Sequence, residues 1–266
     1  MPDGSPRGFG IAAGLDPDVA RAVAQRCESL GYASLWSNDT PIASGLETSA
    51  VFAQAAPRLD VGVAVLALDR HAPPDVKAKL SEVGIPPHRL WLGIGAGFTK
   101  RPLGVVGEGL ASLREALPPE ARIVVAAMGP KMCALAGAQA DGVFLNWMTP
   151  DKAAWARERV HEGAAEAGRE PPPVFGYVRV AVGDDADQRL LKEEGFYRQL
   201  HQGYIRHFEA LGAPAGTVGV AARDPADVAP RLAEYDALDH VVVRALAHAD
   251  AESLGVVAEA AAPRTS

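Results

Sequence analysis

The sequence predicts a (β/α)8 TIM barrel with an insertion between strands 7 and 8. Eight short apolar runs, each typical of a strand, alternate with segments of helical periodicity. The runs are almost continuously apolar, as in parallel strands that are covered on both faces. At 266 residues the chain is close to the length of about 250 residues that is typical of such barrels. We therefore expect residues 1–266 to form one domain.

The first four strand and helix units follow one another with short connections. Asp16 is a candidate N-cap, Pro17 a first helical residue, and Gly31 ends that first helix. The second helix is predicted at 46–57, a third begins after the DRHAPP segment and ends at Val83, and the fourth covers 107–117. The predicted strands of these units are 8–14, 34–39, 61–68 and 89–97.

The last four units include the longest connection of the chain. Thr149 is predicted to cap the sixth helix, with Pro150 at its first position, and residues 183–238 form a mostly helical insertion with a turn-rich break at 212–219. The eighth helix is expected at 251–262. The predicted strands are 123–128, 141–148, 173–182 and 239–246.

A doubly wound sheet is the alternative architecture. Gly93, Gly95 and Gly97 resemble part of a dinucleotide-binding loop. Their spacing is GxGxG, which lacks the third glycine of that fingerprint, and no helix is predicted to begin directly after it. The barrel is therefore the better prediction.

The junction after the fifth strand is a candidate anion site. Gly129 breaks the strand, Pro130 lies in the first turn of the next helix, and Lys131 adds a positive charge. The free backbone N–H groups and the helix dipole favour an anion there by about 0.3 to 1 kcal/mol. A phosphate site and an ordinary turn that uses glycine for its geometry are both consistent with this pattern.

Composition excludes several classes of function. The net charge is −7 and no basic block occurs, so neither nucleic acid nor an anionic membrane is an expected partner. Residues 1–7 lack the apolar core of a signal peptide, and no apolar run has the length of a membrane span. Cys27 and Cys133 lie on apolar helix faces, which indicates buried reduced thiols. We expect a cytoplasmic protein.

In a barrel of this type the active site lies at the carboxyl ends of the strands. None of the six lysines falls within a predicted strand, so a Schiff-base nucleophile is not expected. The strand ends also lack the carboxylates and histidines of a metal site and the glutamate pair of a glycosidase. Small residues, Met128 and Trp147 lie there instead. They suit a flat aromatic ring, so an organic cofactor is expected to supply the chemistry.

Five segments together carry a resemblance to a known family. They are GYASLWSND at 31–39, LDVGVAV at 59–65, RHAP at 70–73, HRLWLGIGAG at 88–97 and MGPKMCALAGAQADGVFLNW at 128–147. In order and spacing they resemble the bacterial luciferase-like superfamily, and within it the coenzyme F420-dependent branch that is similar to methylenetetrahydromethanopterin reductase. The resemblance covers about residues 8–260. It implies a barrel with a long seventh connection, usually in a homodimer.

The resemblance also implies roles for particular residues. Asp39 would approach the deazaflavin ring, and Ala64 and Val65 occupy the position of a non-proline cis peptide that bulges against it. The remaining predicted cofactor contacts line the ring or hold the phosphate, or end the sixth strand at the mouth of the barrel. They are Gly95, Ala96 and Gly97; Met128, Gly129, Pro130 and Lys131; and Asn146 and Trp147.

The predicted reaction is hydride transfer between coenzyme F420 and a small organic substrate. His71 or Asp39 would handle the accompanying proton, although Asp39 could instead cap its loop. Arg244 lies in an otherwise apolar strand and either binds an anion of the substrate or cofactor or pairs with a carboxylate such as Asp39. Arg179 has the same alternatives with less access to the mouth.

Two departures from the family pattern leave other functions open. Thr40 follows Asp39 where sugar-phosphate dehydrogenases of the superfamily have histidine, and residues 100–120 form a shorter segment than usual. The alternatives are an FMN-dependent luciferase-like monooxygenase, which needs oxygen chemistry that deazaflavins lack, and a non-catalytic flavin-binding barrel.

Overall fold

The computed structural model describes residues 6–263, and eight of its strands close into a parallel barrel. Each strand pairs with its neighbour in the chain from β1 to β7, and β9 pairs with both β7 and β1. The ninth strand, β8 (Val220–Ala222), pairs with the end of β7 outside the ring. The ring strands are β1 Arg7–Ile11, β2 Ser34–Ser37, β3 Asp60–Ala67, β4 Leu90–Gly95, β5 Arg122–Ala127, β6 Gly142–Asn146, β7 Val174–Val182 and β9 His240–Ala245.

Helices follow the strands in the predicted alternation. Asp16 caps α1 by accepting hydrogen bonds from the N–H groups of Asp18 and Val19, and Thr149 caps α6 by accepting from Lys152. The helices are α1 Pro17–Ser29, α2 Gly45–Ala55, α3 Pro73–Val83, α4 Pro102–Ala116, α5 Pro130–Gln139, α6 Pro150–Glu166, α7 Ala186–Leu200, α8 Gln202–Leu211, α9 Val228–Ala233 and α10 Ala251–Ala260.

The structure confirms the (β/α)8 TIM barrel and differs from the prediction in detail. Strand β2 ends at Ser37 rather than at Asp39, so Asp39 lies in the loop after it. Helix α4 begins at Pro102, five residues before the predicted start at Gly107. The fixed φ of proline suits a first helical position, and the prediction gave this signal too little weight. Strand β8 was not predicted because three residues carry no readable periodicity.

Aromatic side chains fill the interior of the barrel. The ring of Trp36 packs against Phe144 and Phe175, with centroid distances of 4.8 and 5.4 Å. Glycines on neighbouring strands make room for them: a Cβ atom on Gly62 would lie 2.4 Å from the Trp36 ring. The lower and middle parts of the interior are therefore a packed core, as is usual in this architecture.

A second apolar layer lies between the strands and the surrounding helices. Cys27 and Cys133 are buried in this layer as free thiols, as predicted, and burial raises the pKa of Cys133 to about 12. Helices α5 and α6 pack closely, because Gly137 faces the backbone of Val160 across the contact. Within residues 6–263, none of the helices combines the length and the apolar character that a membrane span requires.

Candidate active site

Asp39 and His71 come together at the carboxyl ends of β2 and β3. The Nε2 atom of His71 lies 2.7 Å from Oδ2 of Asp39, and Arg70 donates to the same oxygen at 3.2 Å. The other carboxylate oxygen of Asp39 accepts from the N–H of Gly45 at the start of α2, at 3.0 Å. The Asp39 side chain is only 3% exposed, whereas that of His71 is 34% exposed. Of the two, His71 is the group with access to a ligand, and Asp39 orients it.

A cleft of about 400 Å³ lies next to this pair. His71 and Lys79 contribute polar groups, and Ile42, which is almost fully exposed, lies at its edge. The loop after β2, the beginning of α2, Leu66 of β3 and the first half of α3 form its walls. Its lining residues are Asp39, Thr40, Pro41, Ile42, Ala43, Ser44, Leu46, Leu66, His71, Asp75, Val76 and Lys79.

The wall of the barrel at β3 and β4 is irregular and built of small residues. The peptide bond between Ala64 and Val65 is cis, as the resemblance implies, and the pairing of β3 with β4 shifts register between Val63 and Leu66. The shift brings the Val65 side chain over Gly95, where an added Cβ atom would lie 2.9 Å from it. This part of the wall offers an apolar surface without bulky side chains.

The loop after β4 is held by a carboxylate that the sequence analysis did not single out. Asp69 accepts a hydrogen bond from the N–H of Phe98 at 2.8 Å. Gly97 has a φ of 67°, and an added Cβ atom there would lie 1.9 Å from the Asp69 carboxylate. Only glycine fits this position. The exposed ring of Phe98 contacts His201 of the insertion, with a centroid distance of 4.5 Å.

The junction of β5 and α5 is open to solvent. Gly129 is the N-cap of α5, Pro130 is the first residue of the helix, and both are exposed together with Lys131. A Cβ atom added to Gly129 would have no atom within 4 Å. Met128, next to Gly129, is half-buried. The backbone N–H groups of the first turn of α5 are thus accessible to an anion.

Asn146 is the last residue of β6, and Trp147 follows it, underneath the insertion. Asn146 donates to the hydroxyl of Tyr204 at 3.1 Å and accepts a hydrogen bond from Arg179. The Trp147 indole is buried and packs against Tyr197 at a centroid distance of 5.2 Å. Trp147 has a φ of 55°, and its carbonyl oxygen accepts from His207 at 2.6 Å. The Trp147 side chain therefore packs beneath the insertion and is not part of the exposed mouth.

Two arginines on neighbouring strands point into the upper barrel, which is the part of the interior near the carboxyl ends of the strands. Arg179 of β7 and Arg244 of β9 are register partners. Arg179 is 2% exposed, its guanidinium carbon lies 3.8 Å from the Trp147 ring centroid, and its Nε atom has no hydrogen-bond partner among the described residues. Burial lowers the pKa of Arg179, and the charge of Arg244 lowers it further. Arg244 is half-buried.

The pairing of Arg244 with Asp39, one of the two alternatives for this arginine, does not occur. Asp39 forms its ion pairs with Arg70 and His71. Across residues 6–263, no ion pair involves Arg244 or Arg179. The structure thus contradicts the pairing of Arg244 with Asp39.

Tyr177, Tyr197 and Tyr204 belong to the same region and were not predicted as site residues. Burial raises the pKa of Tyr177 and of Tyr204 to about 12, so both phenols are neutral. The alternation of VFGYVRVAV places Phe175, Tyr177 and Arg179 on one face of β7, and this signal could have identified Tyr177. For the tyrosines of the insertion, no local pattern gives their place.

The family can now be assigned. The model of the luciferase-like monooxygenase family matches residues 108–259, which is more than half of the chain. The chain therefore belongs to the luciferase-like monooxygenase family, a family of oxidoreductases built on this barrel. A comparison with curated protein sequences gave no match.

Solved structures with the same fold include enzymes that use different cofactors. An F420-dependent secondary alcohol dehydrogenase, in complex with an F420-acetone adduct, is 17% identical with a TM-score of 0.78 and covers 97% of this chain and 98% of its own. The coenzyme F420-dependent tetrahydromethanopterin reductase of Methanopyrus kandleri is 16% identical, with a TM-score of 0.67 and coverage of 97% and 98%. The FMN complex of a 3,6-diketocamphane monooxygenase component from Pseudomonas putida is 15% identical, with a TM-score of 0.66 and coverage of 97% and 99%.

Proposed function

We propose that this protein is a coenzyme F420-dependent oxidoreductase that transfers a hydride between the deazaflavin and a small organic substrate. The observation that carries the proposal is the open β5–α5 junction, where Gly129 and exposed backbone N–H groups lie beside Lys131. The sequence pattern at this junction is consistent with a phosphate site as well as with an ordinary turn, and the family resemblance implies a cofactor contact there. Two of the similar structures are described as F420-dependent, which favours the deazaflavin.

The residues at the mouth fit a cofactor that combines a flat ring with a phosphate. In this proposal the backbone N–H groups of Met128, Gly129 and Lys131 bind the phosphate together with the charge of Lys131, and Pro130, which has no N–H, fixes the backbone of the first turn. Ala64 and Val65 on β3, with Gly95, Ala96 and Gly97 on β4 and its loop, present the apolar surface for the ring. Asn146 and Trp147 close the side below the insertion.

The bound deazaflavin would accept or donate the hydride. The chain itself would hold the two reactants in contact and exclude water, which accounts for much of the rate enhancement in such a reaction. His71, the exposed member of the pair with Asp39, is the proposed donor or acceptor of the accompanying proton at Nδ1, because its Nε2 atom faces Asp39. Asp39 positions His71 and holds the start of α2.

Arg244 is the proposed substrate contact on the opposite wall of the mouth. Its side chain is half-buried, lies on β9 and is free of ion pairs in the described part of the chain. By the family resemblance we also propose a homodimer, which light scattering of the purified protein would test.

The proposal is tested by equilibrium binding of F420 and of FMN to the purified protein, each followed by the fluorescence of the cofactor. We expect F420 to bind more tightly than FMN. Gly129→Asp should weaken binding about tenfold or more, because a loss of about 1.4 kcal/mol corresponds to a factor of ten and a carboxylate would face the phosphate. Gly255→Asp is the matched control, since Gly255 lies on α10, where an added Cβ atom also meets nothing within 4 Å.

The outcomes separate the candidate functions. Tighter binding of FMN would support an FMN-dependent monooxygenase, the alternative favoured by the similarity to the Pseudomonas putida enzyme. Binding that is unchanged in Gly129→Asp would refute the proposed phosphate site. If neither cofactor binds, the oxidoreductase proposal fails. Binding of either flavin without turnover of any acceptor would indicate a non-catalytic barrel.

A further inference from the structure

We propose that Arg179 and Arg244 form a binding site for an anionic group of the substrate, so that the substrate is a small organic anion such as a carboxylate, sulfonate or phosphate ester. This inference rests on the proposed function, in which the mouth of the barrel binds the substrate, and it specifies the chemical class of that substrate. Its basis is the charge balance of the upper barrel.

The two guanidinium groups share one layer of the barrel interior. Along β7 and β9, the inward-facing register pairs are Phe175 with His240, Tyr177 with Val242, and Arg179 with Arg244. Neighbouring strands lie about 4.8 Å apart, so the two arginine side chains start close together and point to the same side of the sheet. In the proposed site a single anion would contact both groups, with the half-buried Arg244 nearer to the solvent than the buried Arg179.

Neither arginine forms an ion pair among residues 6–263, although Arg179 is fully buried, and the carboxylate of Glu193 favours the charged form of Arg179 only from beyond ion-pair distance. Arg179 contacts the Trp147 ring and the amide oxygen of Asn146, and both of these partners are neutral. Burial of a charged group without a paired charge is costly, and proteins normally avoid it. Arg198, for comparison, forms an ion pair with the buried Glu194 at 2.7 Å.

The unpaired polar atoms of this region are predominantly hydrogen-bond donors. The Nε atom of Arg179, the Nε1 atom of Trp147 and the hydroxyl of Tyr177 are buried and have no hydrogen-bond partner in the described structure. Guanidinium and indole N–H groups can only donate, and the neutral phenol of Tyr177 can donate as well. A site of this composition is complementary to the oxygen atoms of an anion, and guanidinium groups bind carboxylate and phosphate in bidentate geometry.

The pair is separate from the proposed phosphate site of the cofactor. Gly129 and Lys131 lie at the start of α5, after β5, whereas the arginines lie on β7 and β9. Strand β6, which carries Asn146, separates the two regions in the ring. An anion on the arginines would thus be a second one, in addition to the cofactor phosphate.

The test is NMR of protein with ¹⁵N-labelled arginine, in which each Nε–Hε group gives a separate signal. Butyrate, butane-1-sulfonate and butyl phosphate are titrated into the free protein and into protein saturated with its cofactor, and neutral butanol serves as the reference compound. Spectra of Arg179→Lys and Arg244→Lys assign the two signals. We expect at least one of the anions, but not butanol, to shift both signals saturably.

Two variants make the result quantitative. Arg244→Gln should weaken binding of the anion about tenfold or more, the loss expected when a charge-assisted hydrogen bond is removed. Its side chain is half-buried at the mouth, so this variant avoids the folding risk of a change at the buried Arg179. Arg21→Gln, which removes an exposed arginine of α1 that is paired with Asp18, should bind the anion as the unmodified protein does.

Three outcomes would overturn the proposal. The first is the absence of saturable shifts with all three anions in both forms of the protein. The second is equal binding by Arg244→Gln and Arg21→Gln. The third is mutual exclusion of cofactor and anion, which would make the arginines part of the cofactor site. Failure of cofactor binding while the anions still shift both signals would refute the proposed function and leave the anion site supported.

Discussion

Acidification should destabilise the protein because it protonates His240 more readily in the unfolded chain than in the folded protein. His240 is the first residue of β9 and lies in the barrel interior near the amino ends of the strands. The imidazole stacks on Phe175 with a centroid distance of 4.9 Å, and its Nε2 atom lies 3.0 Å from the hydroxyl oxygen of Ser34. Burial lowers the pKa of His240 to about 4 from the usual 6.5. In the folded protein this histidine therefore stays neutral under conditions in which it is charged in the unfolded chain.

The sign and size of the effect follow from this difference. When the pH falls below 6.5, His240 of the unfolded chain binds a proton. In the folded protein His240 binds this proton only when the pH approaches its lowered pKa of about 4. The contribution to stability is therefore present at neutral pH, declines as the pH falls through this interval, and does not change further below it. The full loss is about 3 kcal/mol, and between about pH 7 and about pH 5 the loss is about 2 kcal/mol.

The measurement is urea-induced unfolding, followed by circular dichroism, of the unmodified protein and of His240→Gln at about pH 7 and about pH 5. Both proteins lose stability as other groups titrate, among them His207, whose pKa is also lowered by burial. Subtracting the pH dependence of the variant removes those shared terms. The difference should leave about 2 kcal/mol that belongs to His240.

Equal pH dependence in the two proteins would refute this argument. An independent check is the titration of the His240 ring protons by NMR in the folded protein. A midpoint near the value of an exposed histidine, about 6.5, would show that the burial of His240 does not exclude its charged form.

Three further substitutions have effects on stability that follow from the space around a glycine or from a hydrogen bond. Gly62→Ala should lower the free energy of unfolding by about 1 to 3 kcal/mol in urea denaturation, because its Cβ atom would lie 2.4 Å from the buried Trp36 ring. Gly107→Ala should raise the free energy of unfolding by about 0.5 to 1 kcal/mol, because an added Cβ atom on this residue of α4 meets no atom within 4 Å. Equal effects of the two glycine substitutions would contradict the packing argument. Asp39→Ala should lower the midpoint of thermal unfolding, at a cost of about 1 to 2 kcal/mol, because the N–H of Gly45 loses its acceptor. An unchanged midpoint would show that water replaces the carboxylate.

The architecture was predictable because its signals are local. Each strand is a short apolar run, and the helix starts at Pro17, Pro130 and Pro150 are marked by a proline in the first turn. Repetition of the unit eight times then gives the barrel, since parallel strands with helical crossovers close at that number. The sequence did not predict the start of α4 or the three-residue strand β8, because both depend on packing rather than on periodicity.

The site was predictable only where it depends on strand ends. The closeness of Asp39 and His71 follows from the adjacency of β2 and β3. The burial of Asp39 depends on three hydrogen-bond donors, which are Arg70 and His71 after β3 and Gly45 at the start of α2. Trp147 was expected at the mouth because it follows β6. The insertion covers it instead, through contacts with residues fifty or more positions further along the chain, such as Tyr197 and Phe208.

The layers of β7 and β9 connect the chemistry of the core with that of the mouth. In the lowest layer His240 is kept neutral between Phe175 and Ser34, and the middle layer is Tyr177 beside Val242. Of these three layers, only the one nearest the mouth contains charged side chains, namely Arg179 and Arg244. Burial and the charge of Arg244 both lower the pKa of Arg179, so this layer opposes the charged form of the buried arginine. An anion bound between the two groups, as proposed above, would offset this cost, which the packing of the barrel does not.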